Sequence, residues 1–290
     1  MPMPARKPAT TPIPVQLSES DFNQFILPHL SMPRRGPKCK LGYHRLFNLI
    51  LWVLYTGMQW KCLPVPKDHD GNPQIHYTTV YRAFARWSND GSIENAFVAS
   101  VAHLAHQHRL DLSVLHGDGT NTVAKKGGDG IGYSGHKHQR GEKVIAIIDH
   151  NGYVLSPVPV APVNRADTVL LPEGWKALKR VAKLTGLSLH RSYLNLDGGF
   201  DSKSNRQVIF NAGLIPNIKE NPRNRKTTKR GRKRLFDAAI HTLRDRVERT
   251  FTWEDKFKRL LLRFEHIQQR HYGMKLMAYT LINVRHFCGT

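Results

Sequence analysis

The sequence predicts an α/β fold, a mixed sheet with flanking helices, preceded by an all-helical N-terminal module. Helical periodicity dominates up to about residue 110, and strand-like runs begin at Leu112 and then alternate with helices. Two of those runs lead into an aspartate followed by glycine, and a basic helix near the C-terminus presents a glutamate. These observations divide the chain into an arm (1–16), a helical part (17–110) and an α/β domain (111–290).

The charge balance narrows the function. Lys and Arg number 44 against 22 Asp and Glu, a net charge of +22 in 290 residues. Such a field favours a polyanion, and nucleic acid is the commonest one. A basic ribosomal or membrane-surface protein is the other class it admits. Cys39, Cys62 and Cys288 form no CxxC pair, which argues against a disulfide framework or zinc ribbon and fits a reducing cytoplasm. Residues 1–16 are proline-rich and lack the apolar core of a signal peptide, so a flexible arm is expected. The most apolar run, Leu46 to Tyr55, is too short to span a bilayer, and no membrane partner is expected.

In the helical part, Ser18 or Ser20 can cap a helix carrying Phe22, Phe25 and Ile26. Tyr43 to Thr56 forms the core helix, with Gly57 as its stop. A third helix over His76 to Trp87 buries Val80, Phe84 and Trp87 and leaves Thr79, Arg82 and Arg86 off that stripe. This arrangement resembles a helix-turn-helix whose last helix enters a major groove; a small helical cap with a solvated face is the alternative. Val98 to Leu110 extends the helical region. His103, His106 and His108 have no clustered carboxylate or cysteine, which argues against a metal set.

The α/β domain opens with a strand, Leu112 to Asp118, whose aspartate is flanked by Gly117 and Gly119 for close approach of a ligand or backbone. Val123 to Arg140 reads as a mobile basic loop. Strands over Lys143–Asp149 and Tyr153–Val160 flank Asn151-Gly152, a hairpin signal, and Pro157 and Pro159 put the second at an edge. A helix follows over Asp167–Thr185, then a strand over Leu189–Leu196 leading to Asp197, a helix around Asn205–Phe210 with Asp201 as its cap, and a strand over Leu214–Ile218.

Near the C-terminus, His241, Arg244 and Glu248 fall at steps of three and four and share one helical face. Phe236, Ile240, Leu243, Val247 and Phe251 form an adjoining apolar face. A final amphipathic core helix spans Met274 to Phe287, with Met274, Met277, Leu281 and Val284 as its buried stripe. Any single strand-end aspartate is ordinarily a turn residue, and Arg244 with Glu248 alone would pass for a surface ion pair. The ordered trio Asp118, Asp197 and Glu248 is instead the constellation of a ribonuclease-H-like nuclease. Hard oxygen ligands suit Mg²⁺, and a pair of such ions can activate the attacking oxygen and stabilise the leaving one. Ahead of this helix, residues 223–234 place eight Lys and Arg in twelve positions: Arg223, Arg225, Lys226, Lys229, Arg230, Arg232, Lys233 and Arg234. They suit a phosphate-binding track; a disordered basic loop is the plainer alternative.

These motifs resemble those of bacterial insertion-sequence DDE transposases of the insertion sequence five group, within the wider four/five-like superfamily. The likeness runs from Leu17 almost to the end. It rests on LSESDFNQFILPHL, LFNLILWVLYTGMQW and YTTVYRAFARW, then on Asp118-Gly-Thr and Leu196-Asp-Gly-Gly-Phe-Asp-Ser. The family's third motif, Tyr-x2-Arg-x3-Glu-x6-Lys, reads here His241, Arg244, Glu248 and Asp255. The resemblance implies Asp118, Asp197 and Glu248 as catalytic ligands of Mg²⁺, with two ions expected and Mn²⁺ able to substitute. It further implies double-stranded DNA partners (terminal inverted repeats and target), cleavage exposing 3′-hydroxyls, strand transfer, and a homodimer or higher assembly in the bacterial cytoplasm at the nucleoid. Arg244, one helical turn before Glu248, would orient its carboxylate or hold a DNA phosphate, and Lys256 or Lys258 would take the missing lysine's place; His136 and Lys137 are further candidates for DNA contact. A transposase-derived DNA-binding protein that no longer cuts, and an endonuclease without strand transfer, are the alternatives.

Overall fold

The computed structural model describes residues 12–33, 35, 39–157, 160–222 and 234–288. Its helical part holds α1 (Glu19–Phe25), α2 (Tyr43–Thr56), α3 (Tyr77–Asn89) and α4 (Ser92–His106). The Ser18 hydroxyl accepts the Asp21 N–H at 3.0 Å and so caps α1, and Gly57 ends α2 in the left-handed region at φ 74°. Val80, Phe84 and Trp87 are buried, as their spacing requires. The last of these helices begins at Ser92 and stops at His106, earlier at both ends than expected. His103 packs its ring against Phe25 and Phe287.

The strands are β1 (Val114–Val123), β2 (Gly132–Ser134), β3 (Gln139–Ile148), β4 (Val154–Pro157) and β5 (Ala161–Pro162); α5 (Asp167–Thr185), β6 (Tyr193–Leu196), α6 (Lys203–Asn211) and β7 (Ile215–Ile218) follow. They form one mixed sheet in the order β2-β3-β1-β6-β7, with β4 and β5 also on β3. The first strands pair antiparallel, while β1–β6 and β6–β7 are parallel. With helices on its faces this is the ribonuclease-H-like α/β arrangement. No helix among the described residues is long and apolar enough to cross a membrane.

Several expectations are corrected. Asp118 is not at a strand end: β1 pairs with β3 from His116 through Val123, so the aspartate sits mid-strand. What stops there is its other neighbour, β6. Val123 to Arg140 is no plain loop, since β2 folds back on β3 as a hairpin. The single helix expected around Arg244 is two, α7 (Ala238–Thr242) and α8 (Asp245–Glu254). Asp237 accepts the Ile240 N–H and starts α7, which leaves Phe236 outside it and 40% exposed. Asp201 does not cap α6; the Ser202 hydroxyl does, and Asp201 instead holds Arg206 and Arg234 at 2.8 and 2.6 Å.

The last helix, α9 (Gln268–Val284), is not one-faced: every residue from Met274 to Val284 is buried. It packs between the helical part and the sheet, against α3, α4 and β4. The Asn283 side chain pairs with both the N–H and the carbonyl of Val154 at 2.9 Å, and donates to Ser100. One hydrophobic core therefore runs through both parts of the chain.

Gly117 is where β1 and β6 are packed most tightly. A Cβ there would lie 2.6 Å from Leu196 Cδ2. Gly117→Ala is expected to destabilise by about 1–3 kcal/mol, measured by denaturant unfolding. Shortening the neighbour with Leu196→Val should reduce that penalty; strictly additive penalties would contradict the contact.

Candidate active site

The site begins with strand register. Strands β1 and β6 pair in parallel from Val114 with Tyr193 to His116 with Asn195. Two residues further on, Asp118 and Asp197 stand beside each other, on the same face by the period-two alternation of strands. Beyond Leu196 the chain leaves the sheet in a short turn, Gly198–Phe200, whose first N–H groups Asp197 caps by accepting from Gly199 at 2.8 Å. Past that point β1 next meets the chain on its β6 side at Val123, which bridges to Leu262, and the aspartates lie at the notch in between.

Asp118 Oδ1 accepts the N–H of Gly119 at 2.8 Å, and Oδ2 accepts Arg244 Nη2 at 2.8 Å. Burial raises the proton affinity of Asp118; Asp197 and Asp167 add to the rise, while Arg244 and the Gly119 N–H oppose it. Arg244 opens α8, and its Nε is buried with no partner among the described residues. Glu248 lies one turn further along the same helix and is exposed.

That helix is fixed from both ends. Arg246 donates to the His150 carbonyl at 2.7 Å, tying the first turn to the β3–β4 turn. Gly152, at φ 86° in that turn, lets α8 lie close: a Cβ there would meet Trp253 at 3.2 Å. At the far end Glu254 is buried between Lys275 and Tyr279 of α9, accepting the tyrosine hydroxyl at 2.6 Å. Under the site runs a polar chain. His116 contacts His150 and Asn195 at 3.3 Å, and Asn195 donates to the Ile240 carbonyl and lies 3.4 Å from His241. Burial, with nearby His150, Arg246 and Arg244, pulls His116 down to about 4, so it is neutral at physiological pH.

A further carboxylate, singled out by no motif, lies against the glycines that follow the two aspartates. Asp167, the first residue of α5, holds Lys143 Nζ at 2.8 Å. Its Oδ1 lies 3.3 Å from where a Cβ of Gly119 would stand, and its Oδ2 3.3 Å from that of Gly199. An aspartate opening a helix has the same sequence signature as an ordinary first-turn acid, so only the fold reveals it.

On donor chemistry, Asp118 and Asp197 fit a hard divalent cation: two carboxylates side by side, each with one oxygen already fixed by a backbone N–H. The described residues hold no group of three or more His, Cys, Asp or Glu side chains arranged to grip a metal. Glu248 is therefore near in sequence to Arg244 but not drawn in with the aspartates.

The basic candidates separate by environment. Arg234 is spent on Asp201, and Arg86 donates to the Ser31 carbonyl at 3.3 Å with its guanidinium over Trp87. Thr79 and Arg82 are exposed on α3, His136 and Lys137 on the β2–β3 turn, and Lys256 and Lys258 just after α8. Arg223, Arg225, Lys226, Lys229, Arg230, Arg232 and Lys233 lie outside the described residues. Arg259 and Arg263, in a stretch that reads as basic surface, are buried on Glu265 and Glu142. A cleft of about 540 Å³ between α4, α5 and α9 contains none of the site carboxylates.

Comparison with known families gives two matches. The family described as "Transposase DDE domain" matches residues 109–281, and that described as "Putative transposase of IS4/5 family" matches residues 19–97. No curated protein and no solved structure matches significantly.

The anchoring of α8 is testable apart from any chemistry. Lys275→Met leaves the Glu254 charge buried without its cation, at a cost of about 3–5 kcal/mol. Denaturant unfolding should show that loss, with part of it recovered in the double variant with Glu254→Gln. A stability equal to the parent would mean that the pair does not hold α8.

Proposed function

The chain belongs to the transposase DDE domain family, and from that premise we propose that it cleaves DNA at the ends of an insertion element and joins the 3′-hydroxyls to target DNA. The observation that carries this is the side-by-side pairing of Asp118 and Asp197 on parallel strands at the notch where β6 stops. Proteins of this family act on DNA with divalent metal ions. Asp118, Asp197 and Glu248 are the residues that would hold Mg²⁺ or Mn²⁺ here, with two ions expected. Bound there, such ions neutralise phosphate charge and favour ionisation of the attacking oxygen.

The chain's own groups account for the rest. Burial raises the proton affinity of Asp118, with Asp197 and Asp167 adding to the rise, while Arg244 opposes it and holds the carboxylate in place. The same guanidinium is a donor suited to a DNA phosphate should its contact with Asp118 be released. Lys256 and Lys258, next along the chain, extend this grip. Residues 223–233 supply a phosphate track, and His136 and Lys137 reach the DNA backbone from the hairpin. These contacts set affinity and register rather than sequence choice.

Residues 17–110 are the DNA-binding part in this proposal, with Thr79 and Arg82 on the groove-facing side of α3, and residues 111–290 the catalytic part. Residues 1–16 are its flexible arm. Two element ends have to be brought together, which calls for a homodimer or larger assembly on DNA. Such a protein works at the nucleoid in the cytoplasm.

The test is incubation with DNA carrying candidate terminal inverted repeats and Mg²⁺, with sequencing of the products. Joined products that vanish in Asp118→Ala are expected. Binding without nicking of any substrate would replace this function with that of a transposase-derived DNA-binding protein, and cleavage without joining with that of an endonuclease.

A further inference from the structure

Two residues before each aspartate, the sheet carries polar side chains where apolar ones are usual. His116 on β1 pairs in register with Asn195 on β6, and Asn195 with Asn217 on β7. Register partners point to one face, so the three form a row beside Asp118 and Asp197. All three are buried. Parallel strands covered by helices ordinarily place Val, Ile or Leu at such positions, and a buried amide is costly unless it is hydrogen-bonded.

The row directs its hydrogen bonds to one segment. Asn217 accepts the Asp237 N–H at 2.8 Å and donates to the Asp237 carbonyl at 3.0 Å. Asn195 donates to the Ile240 carbonyl at 2.8 Å, and its amide oxygen accepts from Asn217 at 3.2 Å. His116 contacts the ring of His150, whose carbonyl receives Arg246. Residues 237–246 are thus held at three successive points, through β7, β6 and β1 in turn. Apolar burial does not fasten α7, since none of its five residues is buried. A helix of that length is not stable by itself. Through Leu243 it leads into Arg244, whose guanidinium meets Asp118 at 2.8 Å. With the far end of α8 fixed on α9, the docking of α7 sets where the first turn of α8 enters the site.

We propose that Asn195 and Asn217 are positioning residues: their amides dock α7 on the sheet and so set Arg244 and the Glu248 helix against the aspartates for DNA joining. This rests on the reaction proposed above, and the test separates the two ideas. Joining of duplex DNA with a pre-cut terminal repeat to a target duplex, with Mg²⁺, is followed at rising DNA concentration. Hydrogen–deuterium exchange is read by mass spectrometry on the full, DNA-free chain. Asn195→Leu is expected to speed exchange over residues 238–246 by about tenfold or more, with α9 unchanged. The joining rate at saturating DNA should fall by about tenfold or more, with the half-saturating concentration within about twofold of the parent.

Parent-like exchange over residues 238–246 would overturn the docking, and an unchanged joining rate would overturn the positioning role. A parent chain that joins no ends would overturn the proposed reaction instead, and exchange alone then decides the docking. Should Asn195→Leu fail to fold, Asn217→Leu, which frees the other end of α7, decides by the same two readings.

Discussion

The parallel pairing of β1 with β6 is the constraint on which the site depends. It sets Asp118 level with Asp197, although the two are far apart in sequence, and it does so through the short β6. Because side chains alternate along a strand, a slip of one residue would send one aspartate to the opposite face. Gly117 admits Leu196 so closely that the register has little freedom. The unequal strand lengths then do the rest: β1 continues to Val123 while β6 ends, which leaves a notch between β6 and the Val123–Leu262 bridge.

Helix α8 depends on this frame without being part of it. Its first turn is tied to the β3–β4 turn through Arg246 and to the notch through Arg244, and its last turn to α9 through Glu254. The helix that carries Glu248 is thus held by charged contacts at both ends, with Val247 and Thr250 buried between. Since α9 packs on α3 and α4 as well as on β4 and α8, the helical part and the α/β part share the core that positions α8.

Local pattern carried much of this into the sequence. The helix expected over Asp167–Thr185 has those bounds, with Pro172 accommodated in its first turns. The Asn151-Gly152 turn joins β3 to β4, and Gly57 ends α2. What stayed hidden depends on pairing between distant residues. Nothing near Arg263 indicates that it is buried on Glu142, more than a hundred residues away. The apolar period through Phe236 and Phe251 runs across two helices, because Asp237 caps the first and Leu243 closes it. Asp167 looks like any acid at a helix start until the fold sets it against Gly119 and Gly199.

Arg244 connects these levels. In the structure it compensates Asp118, the position that a metal ion would claim. The central claim is that metal and DNA divide these roles: the ion takes the aspartates and the phosphate takes the arginine. The most direct test is anomalous scattering from Mn²⁺ in crystals of the chain with terminal-repeat DNA. The account predicts a manganese peak within coordination distance of both Asp118 and Asp197, with the Arg244 guanidinium on a DNA phosphate. A peak elsewhere, or Arg244 still paired with Asp118 beside bound manganese, would contradict it.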